Sequence, residues 1–200
     1  MNVAEELFGS HLESISLYVD ILAGKGIEWG LIGPREGDRI WDRHIFNSVA
    51  ISDLLSQGAT VVDVGSGAGL PGLPLAILRP DLRVTLLEPL LRRATFLAET
   101  VSELGLDDSV AVVRARAEDH RQRYDAVVSR ALAPLDRLLT WCGPLRRRDG
   151  IIVALKGRTA ADELAAVTPE LNRQGLVGAV LAVRAHPATE VTSAVRLRSR

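Results

Sequence analysis

Two hundred residues with 24 basic side chains, 25 acidic ones and a net charge of −1 suit one domain, or one domain with a short extension. A chain of this length buries roughly 70% of its unfolded surface and needs no disulfide or metal staple. Its single cysteine, Cys142, points to a reducing compartment and excludes a cysteine-based zinc site.

No apolar run approaches the roughly 20 residues that cross a bilayer. Glu5 and Glu6 stand where a secretory leader would carry a basic segment and an apolar run. The expectation is a soluble, cytoplasmic protein. Residues 3–24 read as an amphipathic helix, with Val3, Leu7, Leu12, Ile15, Val19 and Leu22 apolar and with Gly24 and Gly26 ending it. Residues 27–40 hold Gly30, Gly33, Pro34 and Gly37 and read as loop. Ile40 to Gln57 reads as a second helix, carrying Arg43 and His44 beside an apolar stripe of Ile45, Val49 and Leu54. His44 is either a hydrogen-bonded structural residue or a contact to cofactor or RNA. Residues 1–58 precede the first strand, so they are expected to cap the domain that residues 59–200 build.

Val61, Val62 and Val64 around Asp63 form a strand, and four glycines, Gly65, Gly67, Gly69 and Gly72, follow within eight positions. A helical pattern resumes at Pro71, with Leu73, Leu75, Ala76, Ile77 and Leu78 apolar. The turn is stripped of side chains, so backbone can take positive φ and a ligand can lie against it. Four glycines are more than a tight turn needs. Gly65, Gly67 and Gly69 match the G-x-G-x-G loop that cradles S-adenosyl-L-methionine. Gly67, Gly69 and Gly72 match the G-x-G-x-x-G dinucleotide fingerprint.

Beyond the loop, strands and helices alternate, the pattern of a parallel sheet covered on both faces. Arg83 to Glu88 is a buried strand ending in a carboxylate placed for ribose hydroxyls. Leu91 to Leu104 is a helix with Arg92 and Arg93 in its first turn. Positive charge is unfavourable there, so these arginines serve an outside partner or Glu88. Val110 to Val113 and Tyr124 to Ser129 are the next strands, followed by Glu118 and Arg130 respectively just beyond strand ends. Leu135 to Cys142 is a helix whose thiol packs in the core, and Gly150 to Leu155 is the fifth strand, preceded by Arg146, Arg147 and Arg148 and followed by Lys156. Residues 160–174 form a helix, and Val177 to Val183 pairs with Thr192 to Leu197 as a terminal hairpin. Asp63, Glu88, Glu118 and Arg130 thus converge on the carboxyl edge, where open α/β sheets bind ligands.

Charge is uneven along the chain. Met1 to Thr60 holds nine acidic and four basic residues, whereas Arg114 to Arg158 holds eleven basic and five acidic ones. This describes either one positive face for a phosphate backbone or a solvated surface.

Five interleaved strands closed by two strands with no helix between them match the class I adenosylmethionine-dependent methyltransferase fold. A dehydrogenase of this length has little room for a substrate domain. Asp63-Val64-Gly65-Ser66-Gly67-Ala68-Gly69-Leu70-Pro71-Gly72-Leu73-Pro74, Arg116-Ala117-Glu118, Ser129-Arg130-Ala131, Leu155-Lys156-Gly157 and Arg43-His44 occur together. In this combination the chain closely resembles the 16S ribosomal RNA (guanine 527-N7) methyltransferases, the glucose-inhibited division protein B family, over nearly its whole length.

The resemblance implies a seven-stranded, mostly parallel sheet with an N-terminal helical extension. It implies S-adenosyl-L-methionine as cofactor, S-adenosyl-L-homocysteine as product, and 16S rRNA or the small ribosomal subunit as partner, and nothing in the sequence demands more than a monomer. It places the cofactor against Gly65, Leu70, Ala117, Glu118 and Arg130, beside Asp63, Gly67, Gly69 and Glu88. Arg43, His44, Arg92, Arg93, Arg146, Arg147, Arg148 and Lys156 are the candidate RNA contacts. No catalytic acid or base is expected, since guanine N7 carries an exposed lone pair and positioning suffices. Two departures from the pattern stand out: Asn47 where an aspartate is expected, and Ala117 in place of a larger apolar residue. The alternatives are a methyltransferase of another RNA or a small molecule, and an NAD-dependent reductase.

Overall fold

The computed structural model describes residues 2–200, Asp38 by its backbone alone. Seven strands form one sheet: β1 (Thr60–Val64), β2 (Arg83–Leu87), β3 (Val110–Val113), β4 (Tyr124–Arg130), β5 (Arg146–Lys156), β6 (Leu176–Val183) and β7 (Thr192–Ser199). Their spatial order is β3-β2-β1-β4-β5-β7-β6. β1 to β5 are parallel, while β7 runs antiparallel between β5 and β6. The chain winds outward from β1 to β3 and then crosses back to β4. This reversal opens a crevice at the carboxyl ends of β1 and β4.

The period-two alternation of strands sorts side chains to two faces. Val61 and Val128 turn toward α4 (Gly72–Leu78) and α5 (Leu91–Glu103), meeting Leu73, Leu75, Phe96 and Leu97. Val62 and Val127 turn the other way, toward Leu138 and Cys142 of α6 (Leu135–Cys142) and Val167 and Leu171 of α7 (Ala160–Arg173). Each such side chain, fully buried, contributes about 1.5–3 kcal/mol. Cys142 is a core thiol, as expected, and burial pushes its pKa up to about 12.

The N-terminal segment joins the first of these cores. Ile15, Tyr18, Leu22, Ile40 and Ile45 belong to the same buried cluster as Leu73 and Phe96. The expected helix over 3–24 is divided into α1 (Val3–Phe8), a 3-10 turn at Gly9–His11 and α2 (Leu12–Ile21). Gly9 adopts φ +49 at this break, a conformation that interrupts an α-helix at little cost only for glycine. Gly24 and Gly26 do not end the segment but lie inside a π-helical turn at Leu22–Gly26.

The expected loop over 27–40 contains a 3-10 helix at Pro34–Arg39. The expected helix over 40–57 is a π-helical run at Ile40–Phe46, one α-turn, α3 (Asn47–Val49), and a 3-10 turn at Ser52–Leu54. α4 begins at Gly72, with Pro71 as its N-cap rather than its first residue. β5 begins four residues before the expected Gly150, because Arg146 pairs with Tyr124 and the strand then bulges before resuming at Ala126–Ile151. Among the described residues no helix is long and apolar enough to cross a membrane.

Candidate active site

Asp63 shapes the glycine loop from beneath. Its Oδ2 accepts hydrogen bonds from the Ser66 hydroxyl at 2.7 Å and the Gly72 amide at 3.0 Å. Oδ1 is buried with no hydrogen-bond partner among the described residues. Burial raises the Asp63 pKa to about 6, opposed by the Ser66 and Gly72 hydrogen bonds and the Arg130 charge. Gly65, Gly67 and Gly69 adopt φ of +71, +59 and +101, left-handed values that favour glycine. Gly72 does not share this conformation. A Cβ there would lie 2.4 Å from Leu86 and 2.9 Å from the Asp63 carboxylate. The two glycine registers are therefore physically different: the first three glycines bend the loop, and the fourth seats α4 against the sheet.

Tyr18 of α2 holds the loop from above, its hydroxyl donating to the Ala68 carbonyl at 2.8 Å. Sequence reasoning missed this contact, although Tyr18 follows Ile15 and precedes Leu22 on one helical face. Burial raises its pKa well above the ordinary tyrosine value, so the phenol stays a donor.

Glu88 ends β2 with both oxygens engaged. One accepts from the Gly67 amide at 3.0 Å and the other from the Leu90 amide at 3.1 Å. Each carboxylate oxygen has a second lone pair, so acceptor capacity for hydroxyls remains. Beside it a cleft of about 160 Å³ is lined by apolar Val64, Leu87, Pro89, Ala117, Leu132 and Trp141, with Gly65 and Glu118 at its edge. Leu132 and Trp141 carried no sequence signal beyond apolarity. Leu70, an expected cofactor contact, has its side chain in the buried cluster on the cap side.

On the other side of β1, a cavity of about 470 Å³ opens between the cap and the ends of β4 and β5. Arg43, Asn47, Arg130, Lys156, Glu163 and Thr192 are among its walls. Arg130 spans the seam: one terminal nitrogen donates to the carbonyls of Arg43 and His44 at 3.2 and 3.3 Å, and the other meets His44 Nδ1. Lys156 donates to the Ala133 carbonyl and to Glu163, the latter at 2.7 Å. Asn47 donates from its side-chain nitrogen to the Arg43 carbonyl at 3.1 Å.

The structure thus brings Asp63, the three bent-loop glycines, Glu88, Ala117, Glu118 and Arg130 to one edge, with Arg43, His44 and Lys156 facing them. Arg92 and Arg93 are exposed nearby at the start of α5. Arg92 lies over the Trp29 ring, 5.5 Å from its centroid, rather than against Glu88. Arg146, Arg147 and Arg148 do not join this group. β5 runs parallel to β4, so its first residues align with the start of β4, at the opposite edge of the sheet. There Arg147 pairs with Asp125 at 2.6 Å and Arg146 donates to the Gly150 carbonyl at 2.9 Å.

These features suit an adenosine-bearing sulfonium. The apolar cleft can take a flat base, Glu88 a ribose, and the glycine loop the chain that joins them to sulfur.

Comparison with known proteins agrees in fold and family. Residues 11–187 match the family model described as rRNA small subunit methyltransferase G. The chain is 55% identical over 166 residues to the ribosomal RNA small subunit methyltransferase G of Mycolicibacterium smegmatis, covering 80% of this chain and 70% of that one. Among solved structures, it superposes on a SAM dependent methyltransferase from Aquifex aeolicus with a TM-score of 0.58 at 18% identity, over 76% of this chain and 89% of that one. It superposes on M. jannaschii TYW2 in complex with AdoMet with a TM-score of 0.58 at 17% identity, over 76% and 72%.

Proposed function

Because the chain belongs to the rRNA small subunit methyltransferase G family, we propose that its two cavities hold the two reactants of a methyl transfer to guanine N7 of 16S rRNA. The observation that carries this is their placement. The apolar cleft, with Val64 and Gly65 in its wall and Glu88 beside it, lies at the ends of β1 to β3, and the cavity with Arg43, Arg130 and Lys156 lies at the ends of β4 and β5. The family resemblance supplies the target, the guanine at position 527, and the small ribosomal subunit or its RNA as partner. A monomer in the cytoplasm is the accompanying proposal.

When bound, S-adenosyl-L-methionine supplies a methyl group on a positively charged sulfur, which the N7 lone pair can accept with no proton to remove. The protein's part is to hold, orient and exclude water. Gly65, Gly67 and Gly69 keep alternate positions of the loop free of side chains. Glu88 offers acceptors to the ribose, and Val64, Leu87, Ala117 and Trp141 shelter the base. Asp63 serves from behind, holding Ser66 and Gly72 in place. Arg92 and Arg93, exposed at the same edge, supply positive charge for a phosphate backbone, while Arg43 is paired with Glu36 at 2.7 Å and Lys156 with Glu163 at 2.7 Å. Since N7 lies on the Hoogsteen edge, the base is presented unpaired or splayed from a loop.

The test is transfer of labelled methyl from S-adenosyl-L-methionine to small subunits purified from a strain lacking this gene, with the modified base mapped. Label at one guanine N7 is expected. If neither subunits nor naked 16S rRNA accept label, the substrate assignment fails.

A further inference from the structure

The cap is joined to the carboxyl edge through a chain of three side chains, buried at His44 and half-buried at Glu36 and Arg130, of which only Arg130 lines a reactant cavity. Glu36 comes from the 3-10 helix Pro34–Arg39, His44 from the π-helical run Ile40–Phe46, and Arg130 from the end of β4. His44 is 7% exposed. Its Nε2 lies 3.1 Å from Glu36, and its Nδ1 faces the Arg130 guanidinium.

A guanidinium has five N–H donors and no acceptor, so Nδ1 must be the acceptor of that contact. The remaining ring nitrogen then carries the proton and donates to Glu36. Only a neutral imidazole in this one tautomer satisfies both neighbours. The Arg43 and His44 carbonyls are shared in the same way. Asn47 donates to the first at 3.1 Å and the Ser48 hydroxyl to the second at 2.6 Å, while Arg130 reaches both. Three of the five Arg130 donors are thus spent on the cap. The Nε–H and one terminal N–H are left for the cavity.

We propose that His44 is a positioning residue for the transfer: held neutral between Glu36 and Arg130, it aims the Arg130 guanidinium at the acceptor cavity and locks the cap across it. This rests on the functional reading above. Protonation would remove the Nδ1 lone pair and place a cation against Arg130. The groups facing the pair are Glu36 and Arg43 from the cap, Tyr18 from α2 and Asp63 from β1. Of these, only Glu36 contacts the imidazole with negative charge. Burial and the Arg130 charge both depress the His44 pKa, in keeping with a neutral ring.

The experiment compares wild type, His44→Gln and His44→Ala in kcat/KM for small subunits from pH 8.5 down to the lowest pH at which the subunits stay intact, with S-adenosyl-L-homocysteine affinity measured in parallel. A glutamine amide can accept from Arg130 and donate to Glu36 without titrating. Wild type should lose activity toward acid pH, about tenfold per unit once the ring is charged. H44Q should stay within about fivefold of wild type at pH 7.5 and lack the His44 part of that acid limb. H44A should fall at least about tenfold at pH 7.5 with cofactor-product affinity changed less than about threefold. Asp63 also titrates near pH 6, so the limb is assigned from the difference between wild type and H44Q.

Amide exchange of Ile45 to Ser48 gives a reading that needs no RNA. Protection corrected for intrinsic rates should fall in wild type as pH drops below the ordinary imidazole range, and not in H44Q. The same acid limb in wild type and H44Q, an H44A enzyme of unchanged kcat/KM, or product affinity lost in step with activity would each overturn the proposal. If wild type transfers no label at all, the functional reading fails and the exchange comparison alone decides for or against the latch.

Discussion

Two residues under the glycine loop carry chemistry that is costly to the fold. Gly72 has ordinary backbone angles, yet a methyl group there would meet Leu86 and the Asp63 carboxylate well inside contact distance. Gly72→Ala should therefore destabilise by about 1–3 kcal/mol, the usual result of overpacking, read as a lower denaturation midpoint. Gly67 is the converse case: its Cβ would meet only the Gly65 carbonyl at 3.9 Å, but its φ is +59. Gly67→Ala should cost about 1–2 kcal/mol from backbone strain alone. Equal stability of the two variants and wild type would refute both accounts.

Asp63 tests the same region electrostatically. Its folded pKa of about 6 lies above the ordinary 3.8, so the folded state binds this proton more tightly than the unfolded chain. That stabilisation is complete below the unfolded value and is lost as pH rises through the folded one. Asp63→Asn removes the titration, so its stability relative to wild type should rise by about 2.4 kcal/mol between pH 4 and pH 7.5. A flat difference in urea melts across that range would show that Asp63 ionises freely.

At the scale of elements, the cap and the sheet meet where sequence reading was weakest. Strand and helix order beyond Thr60 was legible because alternating and 3.6-residue apolar patterns are long and their glycine breaks are clear. The cap was less so. Its π-helical and 3-10 turns have no period of their own, and Trp41 and Phe46 of the Ile40–Phe46 run pack in series with Phe8 of α1, a tertiary contact no local pattern shows. Nor could the pattern show that a helix-borne tyrosine reaches 50 residues along the chain to Ala68. Tyr18→Phe removes that donor and leaves a buried carbonyl unpaired. A loss of about 1–3 kcal/mol is expected in denaturant melts, with a several-fold loss of S-adenosyl-L-homocysteine affinity by calorimetry. Unchanged affinity would mean that the loop keeps its shape without the cap.

For the whole molecule, a net charge of −1 hides the surface that matters. Basic residues were legible as a sequence cluster, but a cluster in sequence divides in space when its members sit at opposite ends of parallel strands. Arg116 follows β3 and Arg158 follows β5, so both lie at the carboxyl edge, where they are exposed, as Arg93 is at the start of α5. Arg147 and Arg148 begin β5 at the other edge, Arg147 already paired with Asp125. If RNA lies across the cavity, phosphates meet the first set. Replacing Arg93, Arg116 and Arg158 by glutamine, one at a time, should weaken binding and lower the slope of log affinity against log salt by about 0.7–0.9 for each phosphate that is no longer neutralised. Arg147→Gln and Arg148→Gln should leave that slope unchanged. The reverse pattern would place RNA on the amino edge of the sheet, too far from the glycine loop for a base still stacked in its helix. The target guanine would then have to come from a separate strand folded over the cap.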